Sequence, residues 1–189
     1  MADNIYTNEN RRTIYLAGDI DEGKEIGAVN STLINWILED NEQDKTKKDF
    51  KRKPISIYIN SYGGEVYGAW SLIDIILNSK TPIYTYCTGY AMSAGLLIFL
   101  AGEKRFASKH SRFLYHQMRC VREGKYQDLI EERKEIDYMQ KEIEDYVFDR
   151  TFISRDMLEQ NRKNKIDWII HPKEAKDLDI ITDFIEVIK

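Results

Sequence analysis

Three short stretches carry groups suited to acyl chemistry. In TGYAMSAG (Thr88–Gly95) a strand is expected to end at Gly89, and a helix of small residues to begin around Ser93. A serine at a helix start lies beside unpaired N–H groups and the positive end of the helix dipole, which favour a developing anion. That place suits a nucleophile, and it equally suits a plain N-cap. In RFLYH (Arg112–His116) the imidazole of His116 ends an apolar strand. It reads as a general base or as a core histidine bonded to a carbonyl. In INSYGG (Ile59–Gly64) two glycines follow a strand. Glycine lets backbone N–H groups approach a substrate closely, and it also makes a tight strand-to-helix turn.

The elements that would position these groups alternate along the chain. Thr13–Gly18 reads as a strand, after an N-terminal arm of twelve residues that looks loosely held. Ile26, Val29, Leu33, Trp36 and Ile37 recur at helical spacing between Glu25 and Asp40. The charged run Asp40–Lys53, closed by Pro54, reads as a solvated loop, with a docking site for an acidic partner as the sharper alternative. Strands follow at Ile55–Asn60, Ile83–Gly89, Arg105–Ala107 and Arg112–His116, with a helix from Val66 to Leu77 and a short buried one over 93–102. This alternation predicts an α/β fold with parallel pairing. Over Gln127–Arg150 a narrow apolar seam of Leu129, Ile136, Met139, Ile143 and Tyr146 marks a long helix, with Asp137 and Lys141 at i,i+4 spacing. That seam fits the chain's own body or another subunit. The end of the chain reads as a short helix from Pro172 and then a strand.

Composition narrows the class. A chain of 189 residues is expected to form one domain, 1–189, large enough for a substantial core. The formal charge of −4 argues against a nucleic-acid partner. Cys87 and Cys120 read as free thiols in a reducing cytoplasm, because the polar N-terminus lacks the apolar core of a secretory signal. The apolar stretch Gly95–Gly102 is too short to span a bilayer, so no membrane partner is expected. Three histidines without a Cys/His cluster suggest no metal site, and no cofactor is expected.

Taken together and in order, INSYGG, TGYAMSAG, YHQ and the closing NKIDWIIHPKEAKDLDII resemble the ClpP family of ATP-dependent protease subunits. The resemblance runs from about Thr13 to the C-terminus. It implies the ClpP/crotonase-like fold, a spiral of ββα units with a protruding handle built from a strand and a long helix over 118–150. It implies a serine endopeptidase working inside a self-compartmentalised chamber of stacked homo-oligomeric rings, with polypeptide substrates and an AAA+ unfoldase partner. Residue by residue it implies Ser93 as nucleophile and His116 as base. Registering the last segment on Glu174-Ala175 implies Asp167 as the acid that orients the imidazole; the residues alone do not single it out, because acidic side chains abound. The backbone N–H groups of Gly64 and Ala94 are implied as the oxyanion hole.

The chain departs from the family pattern in five places. Tyr62 stands where proline is usual, and Ala94 replaces a commoner methionine. After His116-Gln117, MRCVREG replaces a proline and a glycine pair, so Arg119 and Val121 are expected to alter the peptide groove. The arm Met1–Arg12 is short, and on the resemblance most of the family's axial hairpin is expected to be missing from it. Ser56, Thr88 and Ser108 are polar where the patch that docks the ATPase is often apolar, although Tyr58, Tyr86 and Phe106 remain aromatic. A prophage-type relative fits these departures. Two other readings stand beside the peptidase: a catalytically silent or regulatory ring subunit, and an acyl-CoA enzyme of the crotonase superfamily, which shares the fold without this triad.

Overall fold

The structure is a computed structural model describing residues 5–21 and 23–186. Its centre is an eight-stranded sheet with strands β1 (Ile5–Asn8), β2 (Thr13–Ile20), β3 (Ile55–Gly64), β4 (Ile83–Met92) and β5 (Lys104–Ala107) side by side, then β8 (Asp183–Phe184). Strands β2 to β5 and β8 are parallel, while β1 lies antiparallel on β2. β4 serves two neighbours. Its first half pairs with β5, and its second half, Tyr90–Met92, pairs in parallel with β6 (Arg112–Tyr115). β7 (Trp168–Ile170) closes that side, antiparallel to β6.

Helix α1 (Lys24–Thr46) buries Ile26, Val29, Leu33 and Trp36, the stripe its 3.6-residue period predicts. Helices α2 (Val66–Leu77) and α3 (Ala94–Ala101) complete the layer over one face of the sheet. α3 is buried all round, so its apolar sequence needs no amphipathic pattern. The outer face of the sheet carries a row of aromatic rings. Tyr15, Tyr58, Tyr86 and Phe106 stack at centroid separations of 5.1, 4.7 and 5.0 Å, so the patch keeps its aromatic character around the polar Ser56, Thr88 and Ser108.

The structure corrects several sequence expectations. The described part of the arm is held: β1 pairs with β2, and Arg12 bonds the buried Asp40 at 2.8 Å. Residues 1–4 of the arm lie outside the described residues. The charged run is not all loop, because α1 continues through Thr46, six residues past the expected end. Asp40 itself is buried, accepting from Arg12 and from the Thr81 hydroxyl at 2.7 Å, which explains an acid inside the helix's packed face. β3 does not turn at its glycines but runs through Gly64, pairing with Asp19 and Ile20. Asp137 pairs with Arg133, and Lys141 with Asp145, instead of with each other.

The long helix α4 spans Tyr126–Arg150. Its second half packs on the body through Met139, Ile143 and Val147, while in its first half Leu129 and Ile130 stay exposed. The segment 118–125 before it contains no strand, unlike the expected handle strand. α5 (Arg155–Asn164) and β7 had no sequence counterpart, and α6 (Pro172–Asp177) begins at the expected proline. No helix among the described residues is long and apolar enough to cross a membrane.

Candidate active site

Ser93 and His116 meet because β4 and β6 run side by side. Met92 lies opposite Leu114, and the chain turns at Ser93 into α3. The Ser93 N–H donates to the Leu114 carbonyl at 2.9 Å, and His116 follows two residues later on the same side of β6. Its Nε2 lies 2.8 Å from Ser93 Oγ. A neutral imidazole with the proton on Nδ1 accepts the serine hydroxyl at that distance.

Ser93 is not a plain N-cap. Its side chain makes no capping bond; the Ser93 carbonyl instead accepts from Leu96 N–H at 2.9 Å and Leu97 N–H at 3.2 Å. Its backbone sits at φ 53°, ψ −127°, a region costing an L-residue about 1–3 kcal/mol. The bonds to Leu114, Leu96 and Leu97 hold it there. Such a sharp strand-to-helix turn projects the hydroxyl away from the backbone and leaves the next N–H, that of Ala94, at the open end of α3.

The two glycines of β3 fit against this turn. Gly63 has φ +106°, and a Cβ there would lie 2.7 Å from Ser93 Cβ and 2.8 Å from the Met92 carbonyl oxygen. At Gly64 (φ +148°) a Cβ would overlap the Ile20 carbonyl oxygen. Neither position admits a side chain without backbone movement. Ser61, whose part the sequence reading missed, fixes the glycines: its buried Oγ donates to the Gly18 carbonyl at 2.5 Å and accepts from Gly63 N–H at 3.0 Å. Its signal in the sequence was only a small polar residue at an inward position of a buried strand. Tyr62, in place of proline, points outward and stacks on Tyr90 at 4.2 Å.

Gly64, Ser93, Ala94 and His116 line one cleft of about 370 Å³. Its walls are largely apolar, from Val66, Leu97, Met118 and Ile143, and Arg119 to Val121 border it. A wider cleft continues from Gly64 and Val66 along Met118–Arg122 toward α4. Both thiols are free; Cys120 is exposed beside the cleft, and Cys87 is buried on the inward face of β4.

Asp167 lies just before β7. Its carboxylate is exposed and, among the described residues, makes no hydrogen bond or ion pair, with His116 or otherwise. The β6–β7 ladder ends one residue short of it. Tyr115 pairs with Trp168, and one further step of the same antiparallel register would set His116 opposite Asp167. Opposed residues share a face, and their Cβ atoms lie about 4.5–5.5 Å apart. Asp177 and Asp179 lie elsewhere: Asp177 ends α6, and Asp179 bonds Arg105 at 3.1 Å.

Known proteins resemble the chain over most of its length. A sequence model of the family described as Clp protease matches residues 3–187. The ATP-dependent Clp protease proteolytic subunit 2 of Treponema pallidum is 31% identical over 136 residues, 71% of this chain and 67% of that protein. The protein of the same name from a Synechococcus species is 27% identical over 184 residues, 96% of this chain and 87% of its own. Among solved structures, a point mutant of ClpP1 from Listeria monocytogenes superposes with a TM-score of 0.77 at 28% identity, covering 94% of this chain and 93% of that one. With a family match from the arm to the last strand and a ClpP structure sharing the sheet and helices, the chain belongs to the Clp protease family.

Proposed function

We propose that the protein is a serine endopeptidase with Ser93 as nucleophile, His116 as general base and Asp167 as the residue that orients the imidazole. The observation that carries this reading is the 2.8 Å contact between Ser93 Oγ and His116 Nε2 at a strained strand-to-helix turn. Ser93 Oγ attacks the scissile carbonyl carbon while His116 takes its proton. The N–H groups of Gly64 and Ala94 receive the oxyanion, each donor contributing about 3 kcal/mol to the transition state. As the carbon–nitrogen bond breaks, His116 returns the proton to the leaving amine. Water then cleaves the acyl-enzyme by the same steps, with His116 again the base.

The exposed first half of α4, with Tyr126, Leu129 and Ile130 toward solvent, supports assembly on further copies of the chain. The assembly proposed is a closed ring, stacked in pairs, enclosing the clefts in a cytoplasmic chamber. An AAA+ unfoldase docked on the aromatic row would feed it polypeptide. The free Asp167 carboxylate favours one second reading, a catalytically silent ring subunit.

Fluorophosphonate labelling tests the choice. The wild-type chain is expected to label at Ser93 and hydrolyse short peptides, and Ser93→Ala to do neither while melting as the wild type does. Unchanged hydrolysis by Ser93→Ala would remove the assignment, and an inert wild-type assembly would favour the silent subunit.

A further inference from the structure

His116 stands at a loose end of the sheet. The ladder between β6 and β7 stops at Tyr115 and Trp168, and the chain beyond it forms no regular element until α4 begins at Tyr126. An imidazole that must stay within hydrogen-bond reach of Ser93 needs its backbone held on both sides. On the near side the ladder does this. On the far side the hold comes from α4: the Met118 N–H donates to Gln140 Oε1 at 2.7 Å.

Gln140 is itself held. Its Nε2 donates to Glu144 Oε1 at 2.9 Å, one turn along the helix. The same carboxylate oxygen accepts from Arg162 Nε of α5 at 2.8 Å, in a pair whose Glu144 side chain is only 15% exposed. This chain of bonds fixes the sense of the amide. Flipped, Gln140 would turn its oxygen toward a carboxylate and its NH₂ toward an N–H donor, losing both bonds. Tyr115, just before His116, puts its buried hydroxyl into the same cluster. Burial, and then the Glu144 charge, keep that hydroxyl protonated. The bonded link from the histidine segment to Gln140 and Glu144 is therefore the one through Met118, with the Tyr115 hydroxyl buried nearby.

We propose that Gln140 is a positioning residue for the peptidase reaction: its amide, oriented by Glu144 and Arg162, clamps the backbone at Met118 and so keeps His116 on Ser93. It touches neither substrate nor reacting atoms. The proposal rests on the serine-peptidase reading above, and its chemistry is local. Met118 also forms a wall of the cleft, so the same clamp sets one side of the space where substrate lies. The other Gln–Glu pair on this helix, Gln127 with Glu131 at 3.0 Å, has the same spacing but lies in the exposed half, away from the cleft. It provides an internal control.

The test compares four forms of the full chain: wild type, Gln140→Leu, the exchange Gln140→Glu with Glu144→Gln, and Gln127→Leu. Gln140→Leu keeps the bulk of the side chain and removes the acceptor for Met118. It is expected to slow fluorophosphonate labelling of Ser93 and kcat together by about tenfold to a hundredfold, the effect of misplacing a catalytic group by a fraction of an ångström to one ångström. The exchange retains a carboxylate acceptor for Met118, an amide donor beside it and an acceptor for Arg162. It is expected to recover most of the lost activity, since the Met118 acceptor returns as a carboxylate, while the Glu144–Arg162 ion pair becomes a weaker amide contact. Gln127→Leu, compared at matched assembly state because it lies on the proposed assembly face, should label Ser93 at the wild-type rate. Amide hydrogen exchange at Met118 reports the clamp independently of catalysis: protection should fall in Gln140→Leu and return in the exchange.

Wild-type labelling with Gln140→Leu equally fast would overturn the proposal and leave the peptidase reading intact. So would a slow Gln140→Leu that the exchange fails to rescue, because loss of packing would then account for it. A wild type that neither labels nor cleaves would overturn the peptidase reading, and with it any catalytic role for Gln140, whatever the exchange at Met118 shows.

Discussion

A methyl group at position 63 should cost this protein both stability and nucleophile geometry, for reasons that can be worked from distances. In Gly63→Ala the new Cβ would start 2.7 Å from Ser93 Cβ, 2.8 Å from the Met92 carbonyl oxygen and 3.0 Å from Ala94 N. None of these is the end of a flexible chain that can swing away. The φ of +106° adds conformational strain of about 1–3 kcal/mol for any L side chain. Forcing an extra carbon into a close-packed site adds about 1–3 kcal/mol. The expected loss is therefore about 2–6 kcal/mol, a large part of a stability that for such domains totals about 5–15 kcal/mol. Gly27→Ala is the matched contrast. It lies within α1 with nothing within 4 Å of the added Cβ, and should gain about 0.5–1 kcal/mol through helix propensity alone. Urea unfolding of the three chains, with the slopes compared, measures both effects. In whatever fraction of Gly63→Ala remains folded, the Ser93 turn must shift, so labelling of Ser93 should fall by about a hundredfold. A Gly63→Ala chain that unfolds within about 1 kcal/mol of wild type and labels at the wild-type rate would refute the close-approach argument.

Two other outcomes are expected. Burial pushes the Cys87 thiol up to about 11 from 9.0, only partly opposed by the Ser111 hydroxyl, so the folded chain keeps that proton longer than the unfolded chain. Its stabilising contribution is complete below about pH 9 and lost as pH rises toward about 11, at ~1.4 kcal/mol per pH unit, so the stability gap between wild type and Cys87→Ala should narrow by about 2–3 kcal/mol across that window; a gap that stays constant would refute it. Asp167→Asn should lower kcat by about 10⁴ with little effect on unfolding, whereas Asp179→Asn, which breaks the pair with Arg105, should lower stability and spare kcat; the opposite pattern would move the catalytic acid to Asp179.

Periodicity revealed those elements whose burial pattern repeats. The Ile26–Trp36 stripe and the Val66–Leu77 run became α1 and α2 because each has one wet face and one dry face. It failed where structure depends on distant partners. β1 exists because β2 offers it an edge, and nothing local in IYTN requires that pairing. α1 continues past Asp40 because Arg12 and Thr81, 28 and 41 residues away in sequence, neutralise and bond a carboxylate that otherwise reads as a helix leaving the core. β7 is three residues long, below the length at which alternation can be read.

The site was legible in proportion to how local its geometry is. A serine after small residues at a strand's end, and two glycines before a helix, betray themselves because the turn and the close approach each demand particular residue types. His116 required one more fact, that β6 lies beside the second half of β4; the alternation of strands and helices implied parallel pairing without giving that register. Asp167 is the extreme case. It sits 51 residues beyond His116 in a chain with 32 acidic side chains, so no spacing rule could select it. Its proposed place opposite His116 lies one step beyond a register established by Phe113 with Ile170, Leu114 with Ile169 and Tyr115 with Trp168. A slip of that short ladder by one residue would send the carboxylate to the opposite face of the strand from the imidazole. What keeps the register is the burial of Ile170 and Phe113 on the same inward face, with Trp168 further anchored by its Nε1 to Glu174 at 3.2 Å. The candidate catalytic acid is thus specified less by its own neighbours than by two core side chains and an indole that aim the strand beneath it.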